Sequence, residues 1–104
     1  MKKYLLIIFP LLLILQIGCT KSVRYTEEEI KKFPQATQEN IRKGTVDLGM
    51  TQEQVRYAWG SPDSIKHLDP YDGKFREEWI YSQVFGTVGG KILFFFDNKL
   101  IYIK

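Results

Sequence analysis

Cysteine and histidine are almost absent from this chain, which contains one of each, Cys19 and His67. A single cysteine excludes an intramolecular disulfide, the covalent link that stabilises many small exported domains. Metal sites are built from clusters of His, Cys and carboxylate side chains, and this chain cannot supply such a cluster. We therefore expect no metal and no cofactor.

The residues needed for catalysis are also missing. Ser64, His67 and Asp69 can be grouped as a hydrolase-like set, but residues so close along one strand cannot adopt triad geometry. We expect His67 at the surface or edge of a strand instead. Glu77 and Glu78 are adjacent in a predicted strand, so they point to opposite faces and cannot act as a pair. The sequence predicts a protein that is not an enzyme and has no small-molecule substrate.

Excess charge of one sign is absent once the N-terminus is set aside. The chain has 15 Lys and Arg against 12 Asp and Glu, and without Lys2 and Lys3 the count is 13 against 12. Basic and acidic residues are interspersed along the sequence, with no basic stripe of the kind that binds nucleic acid. We expect no nucleic-acid partner.

A long hydrophobic run is missing too, although a short one is present. Residues 4–15 are apolar apart from Pro10. A membrane-spanning helix needs about 20 apolar residues, whereas a secretory signal peptide needs about 7–15 after a positive start. With Lys2 and Lys3 in front, the run predicts a signal peptide over residues 1–18.

The end of this segment resembles the lipobox of bacterial lipoproteins. Ile17, Gly18 and Cys19 match its pattern, with Gln16 where Leu is usual. The resemblance implies that Cys19 carries the lipid and begins the mature chain, anchored by several acyl chains. Thr20, rather than Asp, follows the cysteine. In the sorting pattern of enteric lipoproteins, the absence of that Asp implies transfer to the outer membrane, so we expect the chain to be anchored there and to face the periplasm. The alternatives are an ordinary signal peptide or an uncleaved anchor.

Helix signals follow a short predicted tether, residues 19–25. Thr26 and Glu29 have capping-box spacing, and Pro34 ends that helix. A second helix is expected over residues 35–43, ending at Gly44, in a region with few apolar contacts that we expect to be loosely packed.

The next helix has the clearest local pattern. Thr51 and Gln54 again have capping-box spacing, and Gly60 is the expected stop. Val55, Ala58 and Trp59 lie on one apolar stripe, which has to pack against another element.

Beyond residue 63 the hydrophobic period becomes two. Strands are predicted over residues 64–68, 75–83, 92–96 and 100–103, with turns at 69–73 and 97–99 and a glycine-rich loop at 85–90. Trp79 and Tyr81 share one strand face. Helices followed by antiparallel strands predict an α+β fold, a two-layer sandwich over residues 26–104 with a three- to four-stranded sheet.

The last predicted hairpin is apolar on both faces, although a sheet covered by helices on one face usually has polar residues on the other. The second face is covered by the N-terminal helix, by a second copy, or by another protein. Phe94, Phe96 and Tyr102 carry more bulk and are expected in the core. The predicted partner contacts are therefore those on the opposite side: Leu93, Phe95, Ile101 and Ile103. A one-residue bulge would exchange the two sets.

Four features follow one another along the second half of the chain: residues 48–55 (LGMTQEQV), the Gly60–Ser61–Pro62 stop, Trp79 with Tyr81, and the terminal hairpin. In this order they resemble the BamE/SmpA/OmlA family of outer-membrane lipoproteins. The resemblance covers residues 44–104. Trp59 departs from the family's usual Leu.

The family resemblance implies an α-α-β-β-β sandwich at the inner leaflet of the outer membrane. It also implies a protein partner, with an accessory role in β-barrel assembly as one candidate. The two-layer architecture also resembles β-lactamase-inhibitor-type domains, so an inhibitor or ligand-capturing module is one alternative. A purely structural envelope lipoprotein is another.

Overall fold

Three short helices and a four-stranded sheet make up the part of the chain that the computed structural model describes, residues 24–83 and 89–104. The helices are α1 (Glu27–Ile30), α2 (Gln35–Lys43) and α3 (Gln52–Trp59). The strands are β1 (Ser64–Tyr71), β2 (Lys74–Tyr81), β3 (Lys91–Phe96) and β4 (Lys99–Ile103). They pair antiparallel in the order β1-β2-β3-β4, with the helices before the strands. The predicted α+β class is confirmed. The predicted signal peptide (1–18), Cys19 and most of the 85–90 loop lie outside the described residues.

Both predicted capping boxes are formed. At α1, the Glu29 amide donates to Thr26 Oγ1 at 3.2 Å, and the Thr26 amide donates to Glu29 Oε1 at 2.8 Å. At α3, Thr51 and Gln54 exchange the same two bonds at 3.2 and 3.0 Å. Each box provides partners for amides that have no acceptor within the helix.

The N-terminal region packs more closely than its sequence predicts. Ile30 and Ile41 are 0% and 2% exposed, so α1 and α2 each place one side chain fully inside the core. Tyr25, expected in the tether, also packs against the core, so the folded part begins before residue 26. Few apolar residues are sufficient here because each helix is short and buries a single position.

The first strand is longer than predicted. β1 continues through Asp69 and Pro70 to Tyr71, with an irregularity in its pairing between Leu68 and Tyr71. Proline has no N–H for a strand ladder, but β1 is an edge strand, where this is tolerated. The turn into β2 is therefore only Asp72 and Gly73, both with positive φ, at 54° and 74°. Such two-residue turns match the twist of a hairpin.

One core joins the helices to one face of the sheet. Its members are all at most 4% exposed: Ile30, Ile41, Met50, Val55, Ala58, Trp79, Tyr81, Leu93, Phe95 and Leu100. Trp59 is half-buried beside them, with its ring edge-on to Tyr81 at 5.3 Å. The α3 stripe, which the sequence predicts to pack against another element, lies in one core with Trp79 and Tyr81. The described helices all contribute to this face, and none covers the other.

The loop before α3 closes part of the outer edge of the sheet. The Gly49 amide donates to the Leu100 carbonyl, and the Leu100 amide donates to the Met50 carbonyl, both at 2.8 Å. Gly49 has φ +92°, which a residue with a side chain rarely adopts. These two hydrogen bonds fix the loop before α3 to β4. Residues 49–50, which belong to the segment that resembles the lipoprotein family, therefore hold the last strand in place.

Candidate functional site

The sheet face opposite the helices is the candidate functional site, and we call it the open face. The register identifies its members, because directly opposed residues on paired antiparallel strands share a face. Trp79 opposes Leu93 on the core side, so the neighbouring pairs Glu78–Phe94 and Ile80–Ile92 belong to the open face. Its apolar members are Leu68, Tyr71, Ile80, Ile92, Phe94, Phe96 and Tyr102.

Aromatic rings contact one another across this face. The Phe94 and Tyr102 centroids are 5.5 Å apart, and those of Tyr71 and Phe96 are 6.4 Å apart, with tilted ring planes in both pairs. The two tyrosines are 66% and 56% exposed, whereas the two phenylalanines are half-buried. Monomeric proteins seldom expose contiguous apolar patches of this kind without a function.

Three of the four predicted partner contacts are wrong. Leu93 and Phe95 are 0% and 2% exposed and lie in the core, and Ile103 is half-buried against it. Ile101 lies at the surface as predicted, at 54% exposure. Side-chain bulk did not identify the buried face of β3. That face is set by the register of β3 against β2, in which Leu93 lies opposite the buried Trp79.

A bulge explains why β4 does not alternate. Phe94 opposes Tyr102 and Phe95 opposes Leu100, so Ile101 is the extra residue on β4. Ile101 and Tyr102 are therefore exposed in succession, while Leu100 on one side stays 1% exposed. One inserted residue changes the facing of everything beyond it, as expected for a bulge.

Cations surround the apolar residues of the open face. The described residues carry 12 Lys and Arg against 12 Asp and Glu, so they are balanced as a whole. The ladder nevertheless places five cations and a single carboxylate, Glu78, on the open face. We call the five the cationic rim: Lys66, Lys74, Arg76, Lys99 and Lys104. The charges are interspersed in sequence, but the pleat collects them on one side.

The rim contacts the aromatic residues directly. Lys74 Nζ lies 5.9 Å from the centre of the Phe96 ring, within the range of a cation–π interaction. Arg76 Nε donates to the Asp69 carbonyl at 2.8 Å, which ties the β1 irregularity to β2. The open face therefore combines aromatic and cationic character within single contacts.

On the core side, the Glu77 carboxylate links three elements. Its Oε1 accepts from Gln52 Nε2 at 2.7 Å and from Trp79 Nε1 at 3.1 Å. Its Oε2 lies 3.0 Å from Nδ1 of His67, whose side chain is 74% exposed on the edge strand. His67 thus has the predicted edge position, and Glu77 and Glu78 lie on opposite faces as predicted. Glu77 joins the start of α3 to the sheet, which is a structural role.

Comparisons of the chain with protein-family models, with curated proteins and with solved structures find no match. Within residues 24–83 and 89–104, no three metal-ligating side chains converge. Among the helices of those same residues, none is long and apolar enough to cross a bilayer. Cys19, the predicted lipidation site, lies outside the described residues.

Proposed function

We propose that this chain is a lipid-anchored lipoprotein of the bacterial cell envelope that binds a protein partner through the open face. The observation that carries the proposal is the aromatic surface on a sheet whose other face already holds the core. Covering apolar surface stabilises a complex by about 25 cal/mol per Å² before the costs of association. Aromatic side chains are enriched at such interfaces.

The anchor is proposed from the sequence. Residues 1–18 have the length and charge of a signal peptide, and the chain's single cysteine occupies the lipobox position. An acylated Cys19 would hold the domain close to the membrane, because only residues 20–24 separate it from Tyr25, which packs against the core. The order of motifs in residues 44–104 supports a narrower proposal, an accessory role in outer-membrane β-barrel assembly.

Replacement of the cysteine tests the anchor. We expect Cys19→Ser to remain an unprocessed precursor without lipid, since the hydroxyl does not replace the thiol as the acceptor of the diacylglyceryl group. Cells labelled with a fatty-acid analogue report this directly. Continued incorporation of label into the variant protein would contradict the proposed anchor.

Photo-crosslinking in cells tests the binding surface. A photoreactive residue at Tyr102 on the open face is compared with one at Lys43, an exposed position on the helix layer. We expect a discrete adduct from position 102 only, and a barrel-assembly subunit in that adduct would support the narrower role. A soluble hydrolase would favour the inhibitor alternative. Adducts from position 43 alone would place the partner elsewhere, and none from either position would favour a purely structural lipoprotein.

A further inference from the structure

The arrangement of charge on the open face indicates the chemistry of its occupant. Ile92, Phe94 and Phe96 form an apolar row along the inner strand β3. On one side of the row, Arg76 faces Phe96, with Lys74 and Lys66 nearby, and the single carboxylate Glu78 faces Phe94. On the other side, Lys99 on β4 faces Phe96, and Lys104, the residue after β4, lies beside Ile92. An apolar centre between two cationic borders calls for a ligand of the opposite pattern.

We propose that the open face is the docking site for an amphipathic helix whose apolar stripe is flanked on both sides by Asp and Glu. This inference rests on the proposed function and names the chemistry of the partner. Helices docked in apolar grooves through residues at i, i+3, i+4 and i+7 are a recurrent mode of recognition. α3 already packs on the other face of the same sheet, with Trp59 against Tyr81 and Arg56 over Trp79.

The dimensions are compatible with one helix. The apolar row from residue 92 to residue 96 runs about 13 Å at 3.3 Å per residue, and two to three helical turns cover that length. A helix about 10 Å across, lying along β3, brings its flanking side chains above β2 and β4. Those neighbouring strands carry most of the cationic rim.

The rim is available for an external partner. The salt bridges within the described residues use Lys32, Arg42 and His67 as their cations, none of which belongs to the rim. Lys66 has Glu78 as its cross-strand neighbour, which leaves Lys74, Arg76, Lys99 and Lys104 without a facing carboxylate on the ladder. Lys74 and Lys99 are also exposed.

Other occupants fit less well. A second copy would bring two cationic rims together, and like charges in apposition oppose association. Arg24, where the described residues begin, lies beside Gly60 at the end of α3, on the helix side of the sheet. A flat anionic membrane would contact the exposed lysines but would leave the half-buried apolar row without a partner. Export of the chain would separate it from nucleic acid.

Two matched peptides test the inference on the full chain, held in nanodiscs of zwitterionic lipid. Each is a labelled helix of about 18 residues (~27 Å) with the same leucine stripe, flanked by Glu in one peptide and by Lys in the other. We expect the Glu-flanked peptide to bind at least about tenfold more tightly, by about 1.4 kcal/mol. Its advantage should shrink as salt rises from about 0.05 to about 0.5 M, because the rim is exposed.

Three variants assign the effect to the open face. Lys74→Glu with Lys99→Glu should remove the preference for the acidic peptide, whereas the matched pair Lys31→Glu with Lys43→Glu, on the helix layer, should leave it unchanged. Phe94→Ser should weaken binding of the acidic peptide about tenfold while the thermal unfolding of the chain stays close to wild type.

Equal affinity for the two peptides would overturn the inference, as would a preference that survives Lys74→Glu with Lys99→Glu. Tighter binding of a single-stranded oligonucleotide, or of vesicles containing an anionic lipid, would also overturn it in favour of those ligands. The proposed function fails separately, through retained labelling of Cys19→Ser or through crosslinks from position 43 alone. A position-102 adduct without a peptide preference would overturn the acidic-helix inference only.

Discussion

At the scale of single residues, Trp79 concentrates the packing of this small core. Its ring is 1% exposed and lies 4.8 Å from the ring of Phe95, while the guanidinium carbon of Arg56 is 4.6 Å from its centroid. Its only polar atom donates to Glu77, so its burial leaves no unpaired donor. The Trp79 side chain therefore contacts β3 through Phe95, α3 through Arg56, and the Glu77 carboxylate.

Trp79→Ala should cost about 3–5 kcal/mol, because it removes a large buried ring and leaves a cavity. That is a large part of the usual stability of a domain. The measurement is denaturant unfolding of the chain lacking residues 1–19. The control is Tyr71→Ala, which removes a 66% exposed ring and should change stability by no more than about 0.5 kcal/mol. Equal midpoints for the two variants would contradict the assigned role of Trp79.

Tyr81 couples stability to alkaline pH. Its hydroxyl donates to the Gly60 carbonyl at 2.8 Å, and the side chain is 3% exposed. Burial raises the pKa of the Tyr81 phenol well above its ordinary value of 10.0, although the positive charges of Arg56 and Arg24 partly oppose this. The folded state therefore holds the phenol proton more tightly than the unfolded state does.

Because that pKa is raised on folding, the contribution of Tyr81 is fully present below about pH 10 and is lost as pH rises further. We expect the stability of the wild-type chain to fall more steeply above pH 10 than that of Tyr81→Phe, which has no phenol to ionise. Unfolding curves of both proteins across pH 8–11.5 measure the difference. Parallel pH profiles would show that Tyr81 does not provide the coupling.

At the scale of elements, the β3–β4 hairpin decides which apolar residues are internal and which are presented. Its turn consists of Asp97 and Asn98, at φ 50° and 65°, as expected for a two-residue hairpin. The Asn98 Oδ1 also accepts a hydrogen bond from the backbone N–H of Gln52 at 3.2 Å, so this N–H at the start of α3 has a partner. The hairpin is thus fixed to the helix layer at its tip as well as through Leu100.

Adjacent residues of β3 should respond oppositely to the same change. Phe95→Ser should unfold the domain, because it replaces a 2% exposed ring and places a hydroxyl in the core. Phe94→Ser should change the free energy of unfolding by no more than about 1 kcal/mol, since this ring lies half-buried on the open face. Thermal unfolding by circular dichroism distinguishes them. A folded Phe95→Ser with an unfolded Phe94→Ser would mean that the β2–β3 register is shifted by one residue.

At the scale of the whole molecule, the open face carries an excess of cations although the described residues are balanced in charge. Residues 24–63, which hold the helices, mix both signs, with six Lys and Arg against seven Asp and Glu. The open face holds the five cations of the rim and one carboxylate, Glu78. Arg42 pairs with Glu27 at 2.7 Å within the helix layer, and this hydrogen bond lowers the pKa of that carboxyl. The two sides of the molecule therefore differ in net charge.

The cationic rim predicts a monomer despite the exposed aromatic residues of the open face. Two open faces in contact would juxtapose their rims, and this repulsion is greatest at low ionic strength. Sedimentation of the chain lacking residues 1–19 should show a monomer at micromolar concentration in low salt. A dimer under those conditions that disappears in Tyr102→Ser would mean that the open face binds a second copy instead.

Much of the local structure could be predicted from the sequence, because its causes are local. Capping boxes need two residues three apart, a helix stop needs a glycine able to take positive φ, and a strand face needs alternation over a few positions. Thr26, Thr51, Gly44 and the shared face of Trp79 and Tyr81 were predicted correctly for these reasons. None of these features depends on where a distant segment lies.

The candidate surface depended on tertiary structure, because no local pattern sets the phase between paired strands. Residues 92–96 and 100–103 are apolar at every position, so either face of β3 could have been internal, and only the pairing of Trp79 with Leu93 chooses. The bulge at Ile101 then turns part of β4 outward. The rim is assembled from residues 66–104 by the pleat of four strands. The sequence by itself determined the elements and the fold class; pairing across the sheet decided which side holds the core and which side is left open.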